Sequence, residues 1–125
     1  MDITPAVPAG RQVVESYGGG RFRVSGMSFE GSVLVLPERT VPWDVDRLED
    51  VTPERLRPIL DLGSEIEILL LGCGSAWAPV APELRDAVRA HGVVLEPMDT
   101  GAASRTYNVL LAEGRRVAAA LIAVA

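Results

Sequence analysis

From residue 66 onward the chain alternates apolar, strand-like runs with helix-like segments, and this alternation restricts the fold more than any other feature. Ile66–Leu71 reads as a buried strand. Pro82–Ala90 reads as a helix with Leu84, Ala87 and Val88 on its apolar side and Arg85, Asp86 and Arg89 facing out. A strand follows over 93–97, then a helix from Thr100 to Glu113 closed by Gly114. Val117–Val124 is apolar throughout, so it is expected at the centre of a sheet or covered on both faces. Strand–helix–strand connections of this kind imply parallel pairing through right-handed crossovers.

The first third has a different rhythm. Val13–Tyr17, Arg21–Val24 and Ser32–Leu36 read as short strands, with Gly18-Gly19-Gly20 as a turn between the first two. This part is expected to be antiparallel. Residues 37–51 read as a polar connection anchored by Trp43, with Asp44, Asp46, Glu49 and Asp50 as a solvated face. Thr52-Pro53-Glu54 starts a helix, Pro58 keeps it short or kinked, and Gly63 ends it. Pro5, Pro8 and Gly10 mark residues 1–11 as a loosely ordered lead-in before one domain over 12–125. The fold class expected is α/β (α+β mixed): three layers, one mixed β-sheet, an antiparallel N-terminal part and a β-α-β-α-β C-terminal part.

Composition removes several function classes. The net charge is −5, which disfavours nucleic acid and polybasic membrane binding. All 12 basic residues are arginine, so neither a Schiff-base nor a phosphate-loop lysine exists. A lone His91 and a lone Cys73 leave no structural zinc set and no intrachain disulfide. No metal and no cofactor are expected. No segment reads as a signal peptide or a membrane span, so the expected location is the cytoplasm.

One segment stands out within this frame. The helix from Asp99 to Leu111 is apolar around most of its circumference, broken by a strip of Ser104, Arg105 and Asn108. Asn108 is the sole asparagine of the chain. Polar groups of this kind are costly to bury unpaired, so the protein itself, a ligand or a partner must satisfy them. If strands 66–71 and 93–97 are parallel, Gly72-Cys73-Gly74 and Pro97-Met98-Asp99-Thr100 leave the same sheet edge, where open α/β sheets bind ligands. Gly72, Gly74, Thr100, Gly101 and Arg105 would then form a small anion-accepting pocket at a helix N-terminus. The competing reading is structural: the glycines serve the turn, Asp99 or Thr100 caps the helix, and Arg105 pairs with Asp99. Cys73 is read as a small buried hydrophobe before a reactive thiol. His91, on the apolar side of its helix, is read as a packed or helix-terminal histidine. Ser104 sits mid-helix, a poor place for a nucleophile. Trp77 is read as an anchor or as an exposed partner contact.

Several stretches are similar to the Mth-938-like domain family (domain of unknown function 498). They are Tyr17-Gly18-Gly19-Gly20-Arg21-Phe22, Gly31-Ser32-Val33-Leu34-Val35-Leu36, Leu69-Leu70-Leu71-Gly72-Cys73-Gly74, Met98–Asn108 and Glu113–Ile122. The segment from Asp99 through Asn108 is the specific part. The resemblance spans nearly the whole chain and implies a compact three-layer fold with a mixed sheet. It implies a cleft lined by Gly72, Cys73, Gly74, Asp99, Thr100, Arg105, Thr106 and Asn108. Many relatives carry Thr at position 73 and Cys at position 104, so the resemblance gives no thiol role at Ser104. The family includes a mitochondrial assembly factor for respiratory complex I, with no established enzymatic activity. The chain is expected to be a bacterial, non-enzymatic binding or assembly protein, with a protein partner in biogenesis of a respiratory membrane complex. The alternative is a small-molecule or anion-binding protein, or an enzyme, using the same cleft. A monomer, or a homodimer paired through an edge strand, is expected.

Overall fold

The structure, a computed structural model, describes residues 10–125. The expected lead-in over 1–11 falls outside the described residues up to position 9.

Among the described residues, eight strands form two sheets. β1 (Val14–Gly18), β2 (Arg21–Val24) and β3 (Met27–Glu30) make an antiparallel three-stranded sheet in that order. β4 (Val33–Val35), β5 (Thr40–Pro42), β6 (Ile68–Gly72), β7 (Val94–Met98) and β8 (Val117–Leu121) make a second sheet, ordered β5-β4-β8-β6-β7. β6 pairs in parallel with β7 and β8, while β4 runs antiparallel to β8 and β5. The mixed sheet and the parallel βαβαβ half match the pattern in the sequence.

The central position of β8 follows from its composition. Val117, Ala118, Ala119, Ala120 and Leu121 are buried on both faces. Small side chains at its middle let covering layers approach closely on either side. One face packs against α2 (Pro82–Arg89) and the 48–65 segment, with Trp43, Leu56, Ile59, Ile66, Leu84 and Val88 in the core. The other face packs against α3 (Thr100–Ala112) and the small sheet, through Phe22, Val24, Ala103, Tyr107 and Leu111. These are the three layers.

Four expectations change. The first third is split: β1 and β2 form a sheet of their own with β3, a strand not expected from the sequence, while β4 joins the large sheet. The connection 37–51 contains β5, a strand that closes a hairpin with β4. The segment begun by Thr52 and Pro53 is broken into a 3₁₀ turn at Glu54–Leu56, a single α-turn α1 (Arg57–Leu60) and another 3₁₀ turn at Gly63–Glu65. Arg85 does not simply face water: its Nη1 donates to the Leu95 carbonyl at 3.0 Å, tying α2 to the edge strand β7. Pro97 is tolerated in β7 because an edge strand has one side without ladder bonds. No described helix is long and apolar enough to cross a membrane.

Candidate functional site

The cleft residues singled out in the sequence gather around α3, but at two places. The first is the C-terminal edge of the parallel strands, where Thr100 is the hub. The Thr100 N–H donates to the Gly74 carbonyl at 2.8 Å, and the Gly74 N–H donates back to Thr100 Oγ1 at 3.0 Å. That same hydroxyl donates to the Ile122 carbonyl at 2.7 Å. The Ile122 N–H reaches the Gly72 carbonyl at 3.0 Å, and the Cys73 N–H reaches Met98 at 2.7 Å. Thr100 is fully buried. A Cβ on Gly72 would stand 2.9 Å from Thr100 Oγ1 and 3.1 Å from its Cα, so only glycine lets helix and strand meet this closely. Asp99 caps α3 by accepting the Ala102 N–H at 2.9 Å. Gly72, Gly74 and Thr100 therefore spend their polar groups on one another and on the β8 exit, and Asp99 spends its own on the first turn of α3.

Cys73 lies beside this knot, half-buried, with Sγ 3.9 Å from the Ala78 carbonyl. Burial, and to a lesser degree the Asp99 charge, push its thiol above the ordinary range. It stays protonated at neutral pH, the form that is a poor nucleophile. His91 is exposed at the end of α2, its Nδ1 3.1 Å from the Ala87 carbonyl. It is the helix-terminal histidine of the two readings, and not a packed one.

The second place is the crossing of α3 and β1. Asn108 presents its amide to the edge of β1 as a strand would. Oδ1 accepts the Val14 N–H at 3.0 Å, and Nδ2 donates to the Val14 carbonyl at 2.7 Å. Arg105 Nη1 donates to the Tyr17 hydroxyl at 2.7 Å. Arg105 is thus paired with Tyr17 and not with Asp99. The phenol rests on Gly101, where an added Cβ would lie 2.6 Å from the Tyr17 hydroxyl. Ser104 is buried, and its hydroxyl donates to the Thr100 carbonyl at 2.8 Å. Tyr107, fully buried on the facing side of α3, donates to the Gln12 carbonyl at 3.0 Å. The polar strip is satisfied by the protein itself.

Between α3 and β1 runs a cleft of about 350 Å³, lined by Val14, Glu15, Ser16, Tyr17, Ser104, Arg105 and Asn108. Of the residues singled out in the sequence, Ser104, Arg105 and Asn108 line it. Gly72, Cys73, Gly74, Asp99 and Thr100 belong to the knot, and Thr106 is half-buried on α3. Glu15, across from Arg105, is engaged by Arg23 at 3.4 Å and by the Gly26 N–H at 2.6 Å. The sequence reading missed Val14 and Tyr17 as partners of α3. A tyrosine just before a three-glycine turn was the one available signal for the latter. Trp77 stands out in solvent, 61 % exposed, on the loop that leaves Gly74. Among the described residues no three His, Cys, Asp or Glu side chains converge on a point where a metal could sit.

A mixed five-stranded sheet with α3 and a small antiparallel sheet on one face is the architecture of the Mth938-like domains. A crystal structure of an outer membrane protein from Bartonella henselae superposes with a TM-score of 0.86 at 38% identity, covering 96% of this chain and 100% of that one. The solution structure of a Mth938-like domain from Bordetella pertussis gives 0.81 at 31% identity, covering 98% and 92%. The family model described as "protein of unknown function (DUF498/DUF598)" matches residues 14–122, and the chain belongs to that family. The resemblance drawn from the Asp99–Asn108 segment, and the mixed three-layer fold it implied, therefore hold. The chain is also 34% identical over 109 residues to NADH dehydrogenase (ubiquinone) 1 alpha subcomplex assembly factor 3 of Mus musculus. That match takes in 87% of this chain but only 59% of the mouse protein, so the chain spans well under two thirds of that relative.

Proposed function

We propose that this protein is a non-enzymatic binding protein of the cytoplasm that serves the assembly of a respiratory membrane complex. Homology to the assembly factors supports an assembly role in general terms. The carrying observation is the contrast around α3. The groups that could do chemistry are engaged internally, whereas a large aromatic side chain, Trp77, is left in water beside them. The Asp99 carboxylate caps, the Thr100 and Ser104 hydroxyls donate to carbonyls, and the Cys73 thiol is held protonated. An exposed Trp on a surface loop is the kind of residue that anchors a protein interface. On this reading the partner lies across the Trp77 loop and the Tyr17–Arg105 cleft. Trp77→Ala should abolish co-purification with subunits of the host's membrane-bound NADH dehydrogenase while leaving the melting temperature unchanged. Retention of those subunits by Trp77→Ala, and by Arg105→Glu as well, would sink the proposal.

A second reading rests on Arg105. Its guanidinium is exposed, and among the described residues it meets a phenol and no carboxylate. A small anion in the cleft would take the place of that carboxylate. Phosphate or a dicarboxylate should then raise the melting temperature of the wild-type protein but not of Arg105→Ala.

A further inference from the structure

At the far end of α3, away from Arg105, a larger cleft of about 400 Å³ opens between the β4–β5 hairpin and the start of β8. Its floor is apolar: Leu36 and Leu111 are buried there, and Leu62 is half-buried. Its rim carries four arginines, Arg11, Arg39, Arg115 and Arg116, although the chain as a whole is acidic at −5.

The four are brought together by construction. The Gln12 N–H donates to the Pro37 carbonyl at 2.9 Å, and the Thr40 hydroxyl donates to Gln12 Oε1 at 2.7 Å. The Leu36 N–H closes the hairpin turn on the Arg39 carbonyl at 2.8 Å. These bonds hold Arg11, one residue before Gln12, and Arg39, one residue before Thr40, on the same rim. Opposite them, Glu67 fixes Arg115 at 2.6 Å and Arg116 at 2.7 Å. Internal pairing thus accounts for Arg115 and Arg116. It does not account for Arg11 and Arg39, which have no carboxylate within ion-pair distance among the described residues. Glu38 and Glu65 also line the cleft, so with Glu67 behind the rim four arginines face three carboxylates and one positive charge is left over. Gathering like charges over an apolar floor costs energy unless an anion offsets it.

We infer that this cleft binds a small amphiphilic anion: a carboxylate or phosphate head held by Arg11 and Arg39, with a short aliphatic chain lying on Leu36, Leu62 and Leu111. The size is that of a ligand pocket, and an apolar lining with a few convergent polar groups is what such pockets share. The guanidinium fork suits both head groups. The site is separate from the Tyr17–Arg105 cleft, and its failure leaves that reading untouched.

Titration calorimetry on the full chain, with monomeric decanoate and decyl phosphate as probes, tests this. At least one should bind saturably, while decanol and decyltrimethylammonium should not. Arg11→Gln/Arg39→Gln should weaken the anion by about tenfold or more. Leu62→Asn should weaken decanoate but not acetate. Arg89→Ala, at an exposed position of α2 outside both clefts, should leave both probes unaffected. Circular dichroism on each variant separates lost binding from lost fold. If neither anion binds, if decanol binds as well as decanoate, or if the double variant binds unchanged, the inference is overturned. Binding only to phosphatidylglycerol vesicles, with no binding of the monomeric probes, overturns it too and identifies a surface attraction instead.

Discussion

Single residues do most of the joining in this protein, and Thr100 is the clearest case. One hydroxyl links the β6 exit, the start of α3 and the β8 exit by accepting from Gly74 and donating to Ile122. Valine has nearly the same shape and neither hydrogen-bonding function. Thr100→Val should leave the Gly74 N–H and the Ile122 carbonyl unpaired in a dry site, at a cost of about 2–4 kcal/mol by urea denaturation. A cost below about 0.5 kcal/mol would mean that the backbone bonds around Gly72 and Gly74 hold the knot alone. Asn108 plays the corresponding part at β1, where its amide substitutes for a strand neighbour. That Thr100 and Asn108 mattered was legible in the sequence, since one opens a helix and the other is a lone amide on an apolar helix. Their partners were not legible, because Val14 and Ile122 are ordinary apolar residues whose backbone alone takes part.

At the scale of elements, the starts of β6 and β8 are tied by one carboxylate. Glu67 binds Arg115 and Arg116, and its own N–H donates to the Arg116 carbonyl at 2.8 Å. The hydrogen bonds from Arg115 and then Arg116 hold its carboxyl below the ordinary value of 4.5. A carboxyl lowered in the folded state stabilises above its unfolded pKa, and that contribution is lost as pH falls through the folded one. The wild-type melting temperature should therefore drop below about pH 4.5, and Glu67→Gln should start lower at neutral pH and show a shallower acid limb. Both differences should shrink in high salt, because the pairs are exposed. Parallel acid limbs in the two proteins would show that Glu67 does not contribute. Among the strands, β3 had a signal that the sequence reading passed over. Ser25 and Gly26 take φ of 45° and 83°, the two positive values of a two-residue hairpin turn between Val24 and Met27. β5 had little signal, being three residues long and ending in Pro42.

The whole molecule is a layered sheet with a smaller sheet fastened to one side. β8, β6 and β4 are buried on both faces, whereas β3 is an edge strand whose Met27 is 64 % exposed. Native-state hydrogen exchange should find the amides of β6 and β8 opening only with global unfolding and those of β2 and β3 opening earlier. Asn108→Ala should speed exchange in β1–β3 selectively. Equal acceleration in β6 and β8 would show that the two sheets open as one unit. The parallel half was already encoded in the local pattern of residues. Strand runs and helix periods of the right length are local properties, and a fully apolar strand such as β8 has nowhere to go but the centre. Two things were decided only in three dimensions. The small sheet stands apart from the large one because the Asn108 amide and the buried Phe22 and Val24 fasten it to α3 and the core behind it. The arginine-rimmed cleft exists because Gln12 draws residue 11 to the β4–β5 turn and Glu67 draws residues 115 and 116 to β6. Both depend on contacts between residues tens of positions apart, and no local pattern encodes a meeting at that distance.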